Sequence, residues 1–386
     1  MEVAAYTQMN HQSIIATTAT MILAYFVEVN RLIVSSKQRK DNVNKKPKPL
    51  WTWLLQQFHT DIAIDLGERY IKIYQKGKGI VLNDEFSCVI VKETKQILLI
   101  GQERKRCIGG PNPDKISLIF PLRDGVVSDF EIYEKTLRRF IKKLRINKFC
   151  IGHPTCLLAH PLLMPTELQG TKEVLTGYQV KSIETPMVPL IAANCALNKK
   201  LLSVHIGDGV TTMYAGDTIR SSKAESKSCA FRISYNKMVE CLILHIRKKF
   251  NLLISEPSAR RVIQLLTMNG STTKKLPLKG RHLETGTPKE IVLRGDDVWQ
   301  GIEKALGILD DDIAYFYEKQ DKNTREAIKK NGIILSGPGA LIQNIDKRIH
   351  KKLKCPVFIT NDPENAVING LGKILESPKN WKDFEV

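Results

Sequence analysis

The sequence predicts an α/β protein built from two similar β-sheet lobes, with flanking helices and a cleft between the lobes. Two segments about 140 residues apart, Ile62–Gly67 and Ser203–Gly209, each run from an apolar strand into a glycine turn. Each carries a polar residue two places before its first glycine. A third glycine turn, Ser336–Ala340, also leads from a strand into a helix. Glycines at such turns let backbone N–H groups approach an anion, and a helix N-terminus adds a favourable dipole. Three such turns together predict a phosphate-binding cleft, although any one alone is weak evidence.

The composition is that of a globular protein with more than one lobe. The chain has 386 residues, of which 42% are apolar, and a mean hydropathy of -0.19, which excludes a disordered chain. Its 8 cysteines lie scattered without a C-x-x-C pair. This spacing argues against a zinc site or a disulfide scaffold and favours a reducing cytoplasm. The net charge of +19 and the pI near 9.5 indicate an anionic partner or, alternatively, a lysine-rich proteome.

Residues 1–60 form an N-terminal extension with a hydrophobic segment and a basic linker. Ser13–Val27 carries no charge but is shorter than the ~20 residues that a membrane-spanning helix needs, whereas the stretch as far as Val34 is just long enough. No basic segment precedes it and no small-residue cleavage site follows, so a cleaved signal peptide is not predicted. If the segment inserts, the basic linker Lys37–Lys48 would keep the main body in the cytoplasm. The alternative is that Met9 or Met21 is closer to the true start.

An amphipathic helix is predicted at the end of this extension. Four apolar residues recur at helical spacing on one face, and a further tryptophan lies beside them: Trp51, Leu54, Leu55 and Phe58, with Trp53. Tryptophans next to a polybasic segment are typical of a helix that lies in the interface of an anionic membrane. These five residues are therefore the predicted membrane contacts. The alternative is that the apolar stripe packs on the first lobe.

The rest of the chain alternates between strand and helix patterns. Alternating apolar residues predict a three-stranded meander from Ile62 to Leu82, and Lys200–Tyr214 reads as strand, turn and strand. The helical patterns are Glu131–Ile146, whose outer face is basic, and then Lys237–Phe250, Pro257–Met268 and Asp296–Lys319. The C-terminal part reads as strand Gly332–Leu335, the third glycine turn, a helix, and strand Pro356–Thr360.

Two stretches of the sequence resemble the MreB bacterial actins. They are Lys78–Asn83, which reads KGIVLN, and Pro121–Phe130, which reads PLRDGVVSDF. Further similarities lie at Glu184–Met187, Gly280–Pro288 and Asn361–Pro363, so that the resemblance extends over about residues 61–375. The three glycine turns also occur in the order used by the actin, sugar-kinase and heat-shock-chaperone ATPases. The resemblance implies the actin-like ATPase fold, in which two β-sheet lobes flank a nucleotide cleft.

The resemblance also implies domain boundaries, ligands and partners. Lobe I would comprise residues 61–199, with residues 361–386 packing back on it, and lobe II residues 200–360, with a small inserted subdomain at about 237–290. MreB-like proteins bind ATP and Mg²⁺, form filaments with themselves or a paralogue on the anionic inner membrane face, and guide the cell-wall synthesis machinery. The residues that match the family's nucleotide contacts are Asp65, Gly67, Gly207, Gly209, Thr211, Gly337 and Gly339.

Set against the family pattern, the phosphate and metal positions of this sequence are altered. Glu68 replaces a hydroxyl residue, His205 replaces the aspartate that helps to organise the hydrated metal, and Asp208 replaces a glycine. A carboxylate about 4 Å from a phosphate charge costs on the order of 4 kcal/mol at an effective dielectric near 20. That is roughly a thousandfold in affinity. These substitutions together predict weakened nucleotide binding.

The remaining nucleotide positions change as well. Pro338 has no N–H to offer a ligand, and Ser234–Asn236 stands where the family has Gly-Gly-Asp. Pro161 matches the family's water-activating glutamate, and a proline can neither orient nor deprotonate water. Glu167 as a substitute base and His205 as a new metal ligand or acid/base are the alternatives. No catalytic residue and no protein metal ligand is assigned.

The sequence therefore predicts an MreB-like filament or scaffold protein at the cytoplasmic membrane that acts in cell-shape determination and whose nucleotide hydrolysis is weak or lost. One alternative is a conventional ATP-driven MreB filament, because the glycines of the phosphate turns are retained. Another is a DNA-binding relative of the plasmid-segregation actins, through the basic helix Glu131–Ile146 and the run Lys347–Lys354. No aromatic stacking pattern or recognised DNA-binding motif accompanies them, so nucleic acid is the weaker choice.

Overall fold

The predicted meander forms the centre of the first sheet. In this computed structural model, residues 61–107, 115–144, 154–161, 163–192, 200–217, 227–267 and 275–377 are described. Strands β1 (Ile62–Leu66), β2 (Tyr70–Gln75) and β3 (Gly79–Glu85) pair in antiparallel order. Their alternating apolar side chains fit a pleated surface, and those of β1 and β2 are buried on both faces.

Lobe I is a five-stranded sheet with order β10-β9-β1-β2-β3. Strands β9 (Thr155–His160) and β10 (Gln179–Glu184) run parallel to β1, so their carboxyl ends lie at one edge of the sheet. Smaller strands and helices cover this sheet. They are β4 (Cys88–Val91), β5 (Ile97–Ile100), β6 (Ile116–Ile119), β7 (Leu122–Arg123), β8 (Val126–Val127), α1 (Phe130–Lys143), α2 (Pro165–Val174) and α3 (Val188–Ala192).

Lobe II repeats the same arrangement. Its sheet has the order β13-β12-β11-β17-β18. Strands β11 (Lys200–Ile206), β12 (Thr211–Asp217) and β13 (Lys227–Phe231) form an antiparallel meander, while β17 (Ile333–Ser336) and β18 (Val357–Ile359) run parallel to β11. The sheet order and strand directions match those of lobe I, so the two duplicated lobes predicted from the sequence are confirmed.

Lobe II also carries a helical layer and a small sheet. The helices are α4 (Tyr235–Phe250), α5 (Glu256–Thr267), α6 (Gly295–Glu318), α7 (Lys322–Asn331) and α8 (Ile345–Leu353), and the small sheet contains β14 (Leu252–Leu253), β15 (Lys275–His282) and β16 (Pro288–Arg294). Val204 and Ile206 of the main sheet share one buried core with Leu242 of α4 and Ile302 of α6. This core fixes the amino end of α4 against the end of β11, where the cleft begins.

The last helix returns to lobe I. Helix α9 (Ala366–Glu376) buries Val367, Leu371 and Leu375 in the same core as Ala63 of β1 and Leu157 of β9. The chain therefore crosses from lobe I to lobe II and back, which ties both lobes together at the base of the cleft.

Three sequence predictions differ in detail from the structure. Helix α1 begins one residue earlier than predicted, where Asp129 Oδ1 accepts the N–H of Ile132 at 3.2 Å, and residues 145–146 lie outside the described ranges. Ser234 caps α4 in the same way, so that helix begins at Tyr235. The helix predicted directly after the third glycine turn is a short 3₁₀ turn, Pro338–Leu341, followed by α8.

The whole N-terminal extension lies outside the described residues. The hydrophobic segment from Ser13, the basic linker and the membrane contacts Trp51, Trp53, Leu54, Leu55 and Phe58 therefore stay predictions. Among the helices that the structure describes, none combines the length and the apolar character that crossing a membrane requires.

Candidate functional site

The glycine turns of both lobes meet at one cleft. A small cavity of about 70 Å³ lies between the carboxyl ends of the parallel strands of lobe I and those of lobe II. Four of the seven predicted nucleotide contacts line it: Asp65, Gly67, Gly207 and Gly209. A second cavity of about 280 Å³ adjoins it and is lined by Lys72, Asp208, Arg260 and Pro338, among others. The structure thus brings the predicted residues of β1 and β11 together.

The other three predicted contacts lie behind the cavity surface. Thr211 is fully buried in β12, where its hydroxyl has no hydrogen-bond partner. Gly337 and Gly339 pack closely against Ile206 at the end of β11. In this closed arrangement, Pro338 is the residue of the third turn that reaches the cavity.

The first two turns have the same local geometry. The N–H of Gly67 donates to the carbonyl of Tyr70 at 3.1 Å, and the N–H of Gly207 donates to the carbonyl of Val210 at 3.1 Å. Both turns therefore use the N–H of their first glycine internally instead of presenting it to a ligand. The residues that directly follow these glycines, Glu68 and Asp208, line the cavity.

Glu68 extends across the cleft from the first turn to the second. Its carboxylate accepts the side-chain N–H of Asn236 at 2.8 Å and the backbone N–H of Gly125 at 3.3 Å. An added Cβ at Gly209 would lie 1.6 Å from Glu68 Oε2, so a larger residue at this position would displace the Glu68 carboxylate. Burial raises the pKa of Glu68 to about 7, although both N–H donors lower it. The carboxylate predicted to stand beside a phosphate thus fills part of the cavity.

Asp208 is not the isolated charge that the sequence analysis assumed. Its carboxylate forms an ion pair with Arg260 at 2.8 Å, and both side chains are only 12% exposed. Arg260 also binds Glu256 at 2.8 Å and donates to the side chain of Asn236. The roughly thousandfold loss of nucleotide affinity expected from the sequence assumes that the charge of Asp208 is unpaired. In the structure, Arg260 of α5 neutralises this charge, so the expected loss is too large.

The ion pairs continue into lobe I. Arg69 binds Glu256 of α5 at 2.6 Å and Glu85 of β3 at 3.3 Å. The roles of Arg69, Glu256 and Arg260 were not predicted from the sequence. Arg69 directly follows Glu68 in the first turn, but no sequence pattern connects Arg69 or Glu68 with α5.

His205 lies half-buried in the cleft wall. Burial and the nearby Lys72 lower the pKa of His205 to about 3. Its Nδ1 lies 3.0 Å from the hydroxyl of Ser336, and the ammonium of Lys72 donates to the carbonyl of Glu364. A histidine with this pKa is not in the imidazolium form at neutral pH, which argues against the general-acid alternative.

The alternative catalytic base is already engaged. Pro161 lines the cavity. Glu167 accepts the backbone N–H of Val127 at 2.9 Å and that of Met164 at 2.9 Å. Because one oxygen of Glu167 caps α2 at Met164 and the other holds the backbone of Val127 in β8, both oxygens of this carboxylate are engaged.

The described residues form no ready-made metal site. Across the described ranges, no group of three or more His, Cys, Asp or Glu side chains could hold one. Mg²⁺ in nucleotide sites is usually held by one or two carboxylates together with phosphates and waters. Asp65 lines the cavity, and burial raises the pKa of its carboxyl, opposed by the charge of Lys72. Asp65 is therefore one candidate for contact with a metal carried in by a nucleotide, beside the cavity-lining Glu68 and Asp208.

The burial of Glu68 predicts a pH-dependent stability. Its pKa of about 7 lies above the ordinary value of 4.5, so the unfolded chain releases this proton first as pH rises. Stability from this group is therefore present below about pH 4.5 and is lost as pH rises towards 7. We expect Glu68→Gln to gain stability relative to the wild-type protein between about pH 5 and 8, measured as the urea midpoint. Parallel pH profiles for the two proteins would contradict this, and Glu240→Gln on the exposed face of α4 is the control.

Two duplicated sheets with glycine turns at a shared cleft define the actin-like class of proteins. A family model described as MreB/Mbl protein matches residues 59–383. The chain therefore belongs to the MreB/Mbl family, and the family resemblance inferred from the sequence is confirmed.

Named relatives and solved structures agree with this assignment. The chain is 29% identical over 332 residues to the cell shape-determining protein MreB of Escherichia coli, which covers 83% of this chain and 94% of that protein. Its fold is similar to that of Spiroplasma citri MreB5 bound to AMPPNP, with a TM-score of 0.73, 22% identity, and coverage of 84% of this chain and 98% of that one. The MamK double helical filament gives a TM-score of 0.67 at 15% identity, covering 83% and 99%. The structural similarities confirm the actin-like fold.

Proposed function

We propose that this protein is an MreB-like filament or scaffold component in cell-shape determination at the cytoplasmic membrane, and that its nucleotide hydrolysis is weak or lost. The observation that carries the second part is the filled cleft, in which Glu68 and Asp208 stand where an incoming phosphate would lie. The first part is supported by family membership and by relatives named as cell shape-determining proteins. A similar fold in a double helical filament supports self-assembly or assembly with a paralogue.

The three residues considered for the role of catalytic base support weak turnover. Pro161 stands at the position expected for the water-activating glutamate, and Glu167 is held by two backbone N–H groups. His205 is neutral and hydrogen-bonded to Ser336. Pro161 has no ionisable group, both oxygens of Glu167 are engaged, and the low pKa of His205 makes it a weak base, so none of these three residues supplies an available general base.

The membrane and cell-wall partners are proposed from sequence and family alone. Trp51, Leu54 and Phe58 favour contact with an anionic bilayer, and the cell-wall synthesis machinery is the partner that family membership implies. ATP and Mg²⁺ are the ligands expected of the family, and Asp65, Gly67 and Gly207 are the residues that would receive them.

A conventional ATP-driven filament is the second candidate. It is favoured by the matching turns at Gly67 and Gly207, both of which line the cavity. It is also favoured by the charge neutralisation of Asp208, since the pair with Arg260 reduces the repulsion that a phosphate would meet. The solved relative from Spiroplasma citri was bound to AMPPNP.

A nucleic-acid function receives no support from the charge distribution. On the predicted basic helix, Arg138 pairs with Glu134 at 2.9 Å and Lys143 with Asp84 at 3.2 Å. In the second basic run, Arg348 pairs with Glu303 at 2.9 Å and Lys352 with Asp311 at 2.7 Å. These acidic partners reduce the positive potential that phosphate contacts would require.

Sedimentation of the purified full chain tests the proposed function. We expect the same pelleted fraction with and without ATP and Mg²⁺, turnover at background, and flotation with anionic but not neutral vesicles. Assembly that needs ATP, with turnover abolished by Asp65→Ala, would establish the conventional filament instead. A protein that stays monomeric alone and with an MreB paralogue would overturn the filament proposal.

A further inference from the structure

Six charged and polar residues connect the two lobes directly across the cleft. We define them as the cross-cleft clamp: Glu68 and Arg69 of lobe I, and Asp208, Asn236, Glu256 and Arg260 of lobe II. Two contacts cross from one lobe to the other, namely Glu68 to Asn236 at 2.8 Å and Arg69 to Glu256 at 2.6 Å. The members on lobe II are joined to one another through Arg260.

The clamp lies where it would compete with an anion. Glu68 and Asp208 both line the cavity between the first two glycine turns. Their carboxylates already accept the donors that a phosphate would need, which are the N–H of Gly125, the side chain of Asn236 and the guanidinium of Arg260. An incoming phosphate must displace at least one of the two carboxylates to reach these donors.

The clamp is also suited to hold the lobes together without a ligand. The side chains of Arg69, Asp208 and Arg260 are at most 12% exposed, so their interactions are screened less by salt than those of surface pairs. In a ligand-closed protein, the free energy that favours closure comes from binding and rises with ligand concentration. Here the same donors are satisfied from within the chain.

We propose that the cross-cleft clamp is an autoinhibitory contact that closes the cleft in the absence of nucleotide and competes with nucleotide phosphates for the donors that line it. This inference rests on the proposed loss of nucleotide turnover and supplies its cause. It assigns opposite roles to two sets of residues. Glu68 and Asp208 act as internal anions, while Arg69, Asn236, Glu256 and Arg260 hold them and the lobes in place.

Removing the internal anions should open the site to nucleotide. In the full chain, Glu68→Thr combined with Asp208→Gly is expected to bind a fluorescent ATP analogue with Mg²⁺ at least tenfold more tightly than the wild-type protein. The exposed Glu240→Thr on α4 is the matched control and should leave the affinity unchanged. An unchanged affinity in a double variant that unfolds cooperatively would overturn the proposal.

A second measurement separates closure from charge removal. Arg69→Met breaks a cross-lobe contact but leaves both carboxylates in place. We expect amide hydrogen exchange in α5 of the nucleotide-free protein to rise at least fivefold, and the exposed Arg123→Met to change nothing. Equal amide exchange of α5 in Arg69→Met and Arg123→Met would refute closure by the clamp, even if the variant that lacks both carboxylates binds nucleotide more tightly.

The outcome is independent of the filament experiment. If the wild-type protein hydrolyses ATP while the double variant still gains affinity and Arg69→Met still loosens α5, the proposed function fails and the clamp stands. If turnover is absent and neither variant responds, the proposed function stands and the clamp fails.

Discussion

Arg260→Ala is expected to lower the free energy of unfolding by about 3–5 kcal/mol, which is the range measured when one member of a buried ion pair is removed. The loss arises because Asp208, at 12% exposure, is left without its partner at 2.8 Å. Glu256 keeps Arg69 as a partner, so the cost is concentrated at Asp208 and Asn236. The lost guanidinium also lies over the ring of Tyr235 at 5.2 Å, which adds to the effect. Urea denaturation monitored by far-UV circular dichroism gives the value.

The neighbouring residue supplies the control for this variant. Arg261 is exposed on the same helix, and Arg261→Ala is expected to change stability by no more than about 0.5 kcal/mol. Adding Asp208→Asn to Arg260→Ala removes the unpaired charge and should recover at least about 1 kcal/mol as an interaction energy. A loss below about 1 kcal/mol in the single variant, with no recovery in the double, would mean that the pair is solvated in solution.

The sheets could be predicted from the sequence because their signal is local. Ile62, Ile64 and Leu66 alternate as a strand must, and the same pattern recurs with a glycine turn at Ser203–Gly209. Each turn is closed by a hydrogen bond between residues three apart. Local spacing therefore sufficed to predict both lobes and the cleft between them.

The clamp could not be predicted because its partners are far apart in the chain. Glu68 meets Asn236 at a separation of 168 residues, and Arg69 meets Glu256 at 187. The charge of Asp208 was recognised, but its neutralisation depends on Arg260, 52 residues later on another helix. A substitution that looks damaging on its own is therefore compensated in three dimensions by a residue that no local pattern indicates.

Helix α7 was missed for a different reason. Lys322–Asn331 buries only Thr324 and Ile328, and most of its other residues are charged or polar. With only two buried residues in ten, one of them threonine, its apolar content is too low to distinguish it from a polar loop. Asp321 defines its start by accepting the N–H of Thr324 at 2.9 Å. An aspartate alone does not identify a helix cap in the sequence, because the helix that follows must be recognised first.

Gly337→Ala is expected to destabilise the protein by about 2–6 kcal/mol, because two separate costs coincide at this residue. Its φ of 84° and ψ of 170° lie in a region that is essentially open to glycine alone, which costs about 1–3 kcal/mol for alanine. A Cβ there would also lie 2.4 Å from the carbonyl oxygen of Ile206, and overpacking of this kind costs typically 1–3 kcal/mol. The N–H of Gly337 donates to Pro363 at 2.8 Å, so the turn cannot shift without breaking that bond.

Two other glycines separate these costs. Gly177 has a φ of +95° but nothing within 4 Å of a Cβ, so Gly177→Ala should show the backbone cost alone, about 1–2 kcal/mol. Gly307 lies in α6 with open space around it, and Gly307→Ala should stabilise the protein by about 0.5–1 kcal/mol. If Gly337→Ala lowers the free energy of unfolding by no more than Gly177→Ala does, the third glycine turn moves away from Ile206 to make room for the added Cβ. The end of β11 would then be free to move, and closure of the cleft would depend on the clamp rather than on the packing of the turns.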